Sequence, residues 1–108
     1  PGGMVDPGEQ PIETAPRELR EETGYAGDKP ESVGFVYANP AIMDNKVYSF
    51  LIRNVALKHE TEFDAGEDLT VRLVPIKNIP KLILEGKIRH SLMVAALAKF
   101  NHLTKSIN

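Results

Sequence analysis

The pattern of apolar and polar positions divides the chain into a helical segment near its start, a strand-rich middle and a helical end. Residues 11–23 predict the first helix, in which Pro16 cannot donate a helix hydrogen bond. The helix is therefore expected either to bend at Pro16 or to start afresh with Thr14 as its N-cap. Apolar runs and alternations predict three strands, at residues 32–39, 46–53 and 69–75.

Two further helices are predicted in the C-terminal part. Asn78 is expected to cap a short helix that Gly86 closes, and Ser91 a longer helix that reaches about Leu103 and carries a broad apolar face. Strands between helices predict an α/β fold with a mixed sheet. Because no repeat, linker or low-complexity segment interrupts residues 1–108, we expect one domain.

Composition excludes several classes of function. The 108 residues carry a net charge of −2 with an isoelectric point near 5.9, which is not the basic footprint of a nucleic-acid-binding protein. The chain has no cysteine, so disulfides, thiolate nucleophiles and zinc–thiolate sites are excluded. With no long apolar stretch to suggest a membrane segment, we expect a soluble, cytoplasmic enzyme.

One segment combines glycines, carboxylates and an arginine at regular spacing. It reads Gly3-x5-Glu9-x7-Arg17-Glu18-Leu19-x-Glu21-Glu22-x-Gly24-Tyr25. Helical residues three and four apart share a face, so Glu18, Glu21 and Glu22 present three carboxylates to one side. Crowded like charges require a cation nearby, and Mg²⁺ or Mn²⁺ is the usual partner of carboxylate and water oxygens.

An acidic, solvated helix face is the alternative interpretation of the glutamates alone. The loop before the helix argues against it, because it contains Gly2, Gly3 and Gly8. Glycines let the backbone pass close to a metal and to phosphates, which a solvated helix does not require. The combination of loop and helix therefore predicts a metal site.

The whole segment resembles the Nudix box, the signature of enzymes that hydrolyse a nucleoside diphosphate linked to another moiety. The resemblance implies a Nudix α/β/α sandwich and a Mg²⁺ or Mn²⁺ cofactor. It implies Glu18 and Glu22 as metal ligands, Glu21 as a shared or bridging ligand and the Gly2 carbonyl as a backbone ligand. Nudix domains normally carry several strands before the box, so we expect residues 1–108 to be about the C-terminal two-thirds of such a domain.

The downstream sequence resembles the ADP-ribose pyrophosphatase subgroup. Pro40 follows Gly24 by sixteen residues, and the segment around it looks like the Ser-Pro-Gly loop of that subgroup, with Asn39 and Ala41 in place of serine and glycine. The resemblance implies a substrate-binding role for Pro40. A plain turn residue at the end of a strand is the alternative.

The resemblance also implies the catalytic residues. In the subgroup the general base is a glutamate on a loop before the last strand, and Glu67 matches it better than Glu60 or Glu62. Arg17 and Glu21 complete the predicted catalytic set. Three histidines, His59, His90 and His102, are expected at the surface or at helix ends. Arg20 is expected to face solvent, with a phosphate contact as the alternative.

The leading hypothesis is metal-dependent hydrolysis of ADP-ribose or a related nucleotide sugar. The alternatives are a hydrolase of nucleoside triphosphates or dinucleoside polyphosphates, a non-catalytic Nudix-like binding module, and an inactive fragment. The expected partner is a small-molecule nucleoside diphosphate, with neither nucleic acid nor membrane. Homodimers with exchanged N-terminal strands are common in the subgroup, so a homodimer is one assembly to test.

Overall fold

The computed structural model describes residues 1–39, 45–63 and 69–107, with side chains described as far as Leu103. The described helices are α1 (Pro11–Thr23), α2 (Ile79–Leu84) and α3 (Ser91–Ile107). The described strands are β1 (Tyr25–Ala26), β2 (Glu31–Tyr37), β3 (Lys46–Leu51) and β4 (Ala56–Leu57). A short 3₁₀ helix, Ile76–Asn78, leads into α2. The predicted α/β class is confirmed.

Helix α1 is continuous through Pro16 and does not restart at Thr14. Gln10 is the N-cap with extended backbone, and its N–H donates to the Glu13 carboxylate at 3.0 Å, which satisfies one of the free donors at the helix start. At the other end, Gly24 adopts a left-handed conformation with φ 78° and donates its N–H to the Arg20 carbonyl at 2.8 Å. The predicted helix limits of 11 and 23 are therefore those observed.

The described strands form two small sheets. Strand β1 pairs with β4 in an antiparallel register in which Tyr25 faces Leu57 and Ala26 faces Ala56. Strand β2 pairs with β3. Strand β3 lies within its predicted range, whereas β2 begins at Glu31, one residue before its predicted range. The prediction of a strand at 69–75 is wrong, since these residues have no strand structure. An apolar run becomes a strand only where a neighbour takes up its backbone hydrogen bonds, and no described strand pairs with this one.

The chain divides into two units, each of which we describe by itself. Pro1–Ser32 and Phe50–Val71 form the first, which contains α1 and the β1–β4 pair. Val33–Ser49 and Arg72–Asn108 form the second, which contains α2 and α3. In the second unit, apolar side chains of α2 and α3 line a cavity of about 480 Å³.

Helix α3 begins at Ser91, one residue before its predicted start, and its cap lies one residue earlier as well. The carbonyl of His90 accepts the Val94 N–H at 3.0 Å, and the Nδ1 atom of His90 accepts the Leu92 N–H at 3.2 Å. His90 is therefore the N-cap, and the assignment of that role to Ser91 is wrong. A ring nitrogen can replace the usual hydroxyl because the cap requires only an acceptor facing the first-turn N–H groups. The helix also extends beyond Leu103, to Ile107.

Burial in the described part of the chain is greatest for polar side chains. No described hydrophobic residue is fully buried, whereas Thr14 is 5% and Glu18 is 9% exposed. Both residues belong to α1 and face the loop before it. None of the described helices is long and apolar enough to cross a membrane.

We predict that Gly24→Ala destabilises the protein more than Gly86→Ala. Both glycines have positive φ, at 78° and 77°, so alanine costs about 1–2 kcal/mol at either position. A β-carbon at Gly24 would also overlap the carbonyl oxygen of His59, whereas one at Gly86 would have no neighbour within 4 Å. Such overpacking adds about 1–3 kcal/mol. Urea unfolding of the two variants measures the difference, and equal losses would contradict the close approach of His59.

Candidate active site

The guanidinium of Arg17 is the centre of the candidate site. Its Nε donates to Glu9 Oε2 at 2.8 Å, and its Nη1 donates to Glu18 Oε1 at 3.0 Å and to Glu21 Oε2 at 3.1 Å. Its Nη2 donates to the main-chain oxygen of Met4 at 3.1 Å and to Glu9 Oε1 at 3.1 Å. The planar fork of arginine provides donors in several directions, so one cation joins the loop before α1 to the carboxylates of α1.

Glu9 is held in place from two sides. The turn at residues 6–9 is closed by the Glu9 N–H, which donates to the Asp6 carbonyl at 3.0 Å, and the Asp6 N–H donates to Glu9 Oε1 at 3.1 Å. The buried Thr14 hydroxyl donates to the same oxygen at 2.6 Å. Hydrogen bonds from Arg17 and Thr14 favour the charged carboxylate and lower the pKa of Glu9 to about 2.

Glu18 is the most enclosed carboxylate among the described residues. Its burial raises the pKa of its carboxyl group, the positive charge of Arg17 lowers it, and the neighbouring Glu22 and Glu21 raise it further. The net direction is upward. A buried carboxylate next to two others is an environment that a bound cation would stabilise.

The glycine loop passes directly over these carboxylates. A β-carbon at Gly3 would overlap the carboxylate of Glu18, so only glycine leaves room for that side chain. The Gly2 N–H donates to Glu22 Oε2 at 3.2 Å. The backbone of residues 2 and 3 therefore lies beside Glu18 and Glu22, two of the three predicted metal ligands of α1.

The donors at this position fit Mg²⁺ or Mn²⁺. They are hard carboxylate and peptide oxygens, and Mg²⁺ is usually bound by one or two carboxylates together with water and substrate phosphates. No group of three acidic, histidine or cysteine side chains in the described ranges could hold a metal ion by itself. Glu18 and Glu22, which lie beside the backbone of Gly3 and Gly2, therefore stay predicted ligands together with Glu21. The Gly2 carbonyl stays a predicted ligand, since the contact described for Gly2 is through its N–H.

The end of α1 is bound to a segment far along the chain. The N–H groups of Lys58 and His59 both donate to the Gly24 carbonyl at 3.0 Å. The Glu62 N–H donates to the Glu21 carbonyl at 2.7 Å, and the Glu62 carboxylate pairs with Arg20 at 2.9 Å. Arg20 is therefore not simply a solvent-facing residue, because its guanidinium is paired.

Comparison with known proteins identifies the family. Residues 1–97 match the NUDIX domain family. The chain belongs to the Nudix family. The segment that surrounds Arg17 is thus a Nudix box. Its loop contacts the carboxylates of the helix, and its closing glycine is hydrogen-bonded to the last turn of the helix.

Curated relatives carry two kinds of name. The chain is 36% identical over 84 residues to an ADP-ribose pyrophosphatase of Bacillus subtilis (strain 168), and the aligned region covers 77% of the chain and 45% of the relative. It is 30% identical over 106 residues to an ADP-ribose pyrophosphatase of Mycobacterium tuberculosis (strain ATCC 25618 / H37Rv), covering 96% of the chain and 51% of the relative. A putative 8-oxo-dGTP diphosphatase of Bacillus subtilis (strain 168) is 48% identical over 46 residues, covering 43% of the chain and 30% of the relative. The chain spans about half the length of the two ADP-ribose pyrophosphatases.

The structure brings some of the predicted Nudix residues together and leaves others untested. Hydrogen bonds join Gly2 to Glu22 and join Arg17 to Glu18 and Glu21, while the roles predicted for these residues stay predictions. Two predicted site residues, Pro40 and Glu67, lie outside the described residues. The alternative bases differ from each other, since Glu60 is exposed while Glu62 is paired with Arg20.

Sequence reasoning missed the contribution of Glu9 and of the Met4 carbonyl. Glu9 was part of the motif, but the motif alone did not show that its carboxylate would pair with Arg17 eight residues later. A main-chain oxygen such as that of Met4 leaves no signal in residue types at all. The conspicuous position of Glu9 within the box was the only available indication.

We predict that Gly3→Ala weakens metal binding while Gly2→Ala has a smaller effect. The new β-carbon at position 3 would displace the Glu18 carboxylate, whereas one at position 2 would have no neighbour within 4 Å. Because a flexible side chain can yield, stability should change little, but moving a ligand typically costs about 10- to 100-fold in metal affinity. Titration with Mn²⁺ measures the effect. Equal affinities of the two variants would contradict this position for Glu18.

Proposed function

We propose that the protein is a divalent-metal-dependent pyrophosphohydrolase that cleaves ADP-ribose or a related nucleotide sugar. The observation that carries the proposal is the buried carboxylate of Glu18, held between Arg17 and the backbone of Gly3. Two relatives with ADP-ribose pyrophosphatase names support the substrate class. We also infer that residues 1–108 belong to a single Nudix domain. The family match covers residues 1–97 of them.

The carboxylates of the box have separate tasks in this proposal. Glu18 and Glu22 would hold the metal, which would supply charge neutralisation at the phosphates and activation of the attacking water. Glu21 shares in binding it, from a position where Arg17 already orients its carboxylate at 3.1 Å. Arg17 positions Glu18 and Glu21 and balances their charge. Hydrolysis of ADP-ribose adds water across the diphosphate and yields AMP and ribose 5-phosphate.

We assign the general base to Glu67 and a substrate contact to Pro40. Support for Glu67 comes from the anchored segment that precedes it: Glu62, five residues earlier, is bound to the helix that carries the box. The carboxylate of Glu62 itself is already engaged by Arg20 at 2.9 Å. A base must lie within hydrogen-bond reach of the attacking water.

A nucleoside-triphosphate diphosphatase is the second candidate function. The 48% identity over 46 residues to a putative 8-oxo-dGTP diphosphatase favours it. A non-catalytic Nudix-like module has less support, because Glu18, Glu21 and Glu22 are all present and Arg17 contacts two of them.

We predict that the full-length protein with Mg²⁺ converts ADP-ribose to AMP and ribose 5-phosphate faster than it cleaves ATP, 8-oxo-dGTP or diadenosine polyphosphates. The motivation is Pro40 and the sequence around it, which resemble the substrate loop of the ADP-ribose pyrophosphatase subgroup. Chromatography of the products under matched concentrations gives the ratio of kcat/KM values. A preference for 8-oxo-dGTP or another triphosphate would instead support the second candidate.

We predict that Glu21→Gln and Glu22→Gln each lower kcat at least about 100-fold, because each removes a charged ligand but keeps the side-chain shape. Glu13→Gln is the matched control on the same helix. Its carboxylate accepts the Gln10 N–H at the far end of α1, and glutamine can still accept that hydrogen bond. Near-normal turnover of both ligand variants would contradict the metal assignment.

We predict that Glu67→Gln lowers kcat with little change in KM, since a base acts on the proton of the attacking water and not on substrate binding. The variant should also lose the acidic limb of the kcat–pH profile. Glu60→Gln serves as the control and should behave like the unaltered protein. If Glu60→Gln carried the loss instead, the assignment to Glu67 would be wrong.

A further inference from the structure

We propose that Arg20 and Glu62 are positioning residues for the metal site. This inference rests on the proposed function. Together they hold the segment 58–63 against the last turn of α1, the turn that carries Glu21 and Glu22. This role differs from that of Arg17, which contacts the carboxylates themselves.

The last turn of a helix has carbonyl groups that its own N–H groups cannot reach. In α1 the Gly24 N–H serves the Arg20 carbonyl, but the Glu21 carbonyl receives its hydrogen bond from Glu62, at 2.7 Å. The Gly24 carbonyl likewise receives the N–H groups of Lys58 and His59 at 3.0 Å. The turn that presents two of the box glutamates is therefore completed by residues about forty positions later in the chain.

The ion pair fixes where this segment lies along the helix. Backbone hydrogen bonds do not distinguish one residue from the next, so a one-residue slip could preserve their number. The Arg20 Nη2–Glu62 Oε1 pair at 2.9 Å provides the side-chain contact that selects Glu62 for the Glu21 carbonyl. Because Arg20 is adjacent to Glu21, a shift of this contact would also move Glu21.

The pair should affect the site more than the stability of the fold. The two side chains are 40% and 61% exposed, and exposed ion pairs contribute little to the free energy of unfolding. A metal site is more sensitive, since altered support of a ligand commonly lowers metal affinity about 10- to 100-fold. The two readouts, unfolding and metal binding, therefore separate positioning from general stabilisation.

The test is to titrate the full-length protein with Mn²⁺ and to measure the affinity from the electron paramagnetic resonance signal of the free ion. Arg20→Ala and Glu62→Ala should each weaken binding about tenfold. The double variant should be no weaker than either single variant, because both changes remove the same contact. Glu62→Gln keeps an acceptor for Arg20 and should bind Mn²⁺ nearly as well as the unaltered protein.

Arg53 and Glu31 supply a matched control. They form an ion pair of the same length, 2.9 Å, with side chains 40% and 49% exposed. Neither Arg53 nor Glu31 belongs to α1. Arg53→Ala and Glu31→Ala should leave the affinity for Mn²⁺ unchanged.

Several outcomes would overturn the inference. Unchanged affinity in both single variants would show that the pair does not position the site. A raised KM for ADP-ribose in Arg20→Ala, with Glu62→Ala unaffected, would make Arg20 a substrate contact instead. Absence of Mn²⁺ binding in the unaltered protein would overturn both this inference and the metal site. If Arg20→Ala and Glu62→Ala both lose Mn²⁺ affinity, but the unaltered protein does not hydrolyse ADP-ribose, the positioning role is supported and only the proposed activity is rejected.

Discussion

The contacts of Arg17 with Glu9, Glu18 and Glu21 are the interaction on which the candidate site depends. Carboxylates this close repel one another, and a single guanidinium with donors in several directions offsets that repulsion while fixing their orientation. Lysine could supply the charge but not the fork of donors. Because Glu9 comes from the loop and the other two from α1, the same contacts also hold the glycine loop against the helix.

Burial is concentrated at this network. Among the described residues the enclosed side chains are Thr14 and Glu18, whereas the apolar residues remain at least partly exposed. The hydroxyl of Thr14 is satisfied by Glu9, and the carboxylate of Glu18 by Arg17. Burying a carboxylate is costly even when it is paired, which is why the pKa of Glu18 is raised. A divalent cation at this position would offset part of that cost, so the proposed metal site and the local fold stabilise the same arrangement.

Local patterns predicted the elements well where local forces decide them. The limits of α1 follow from a proline in the first turn and a left-handed glycine at the end, both of which act within a few residues. The strand expected at 69–75 failed because an apolar run does not reveal whether a partner strand exists. The cap of α3 was displaced to His90 because a hydroxyl is only the commonest acceptor and not the only one.

The sequence by itself determined the Nudix family, the types of chemical group in the box and the shared helix face of Glu18, Glu21 and Glu22. Helical spacing is local, so residue order is enough to place those groups on one side. Only the tertiary structure decided that Gly3 lies against Glu18 and that Glu62 completes the last turn of α1. Those contacts join residues 15 and 41 positions apart, and over such separations the path of the backbone, not the period of the sequence, determines which atoms meet.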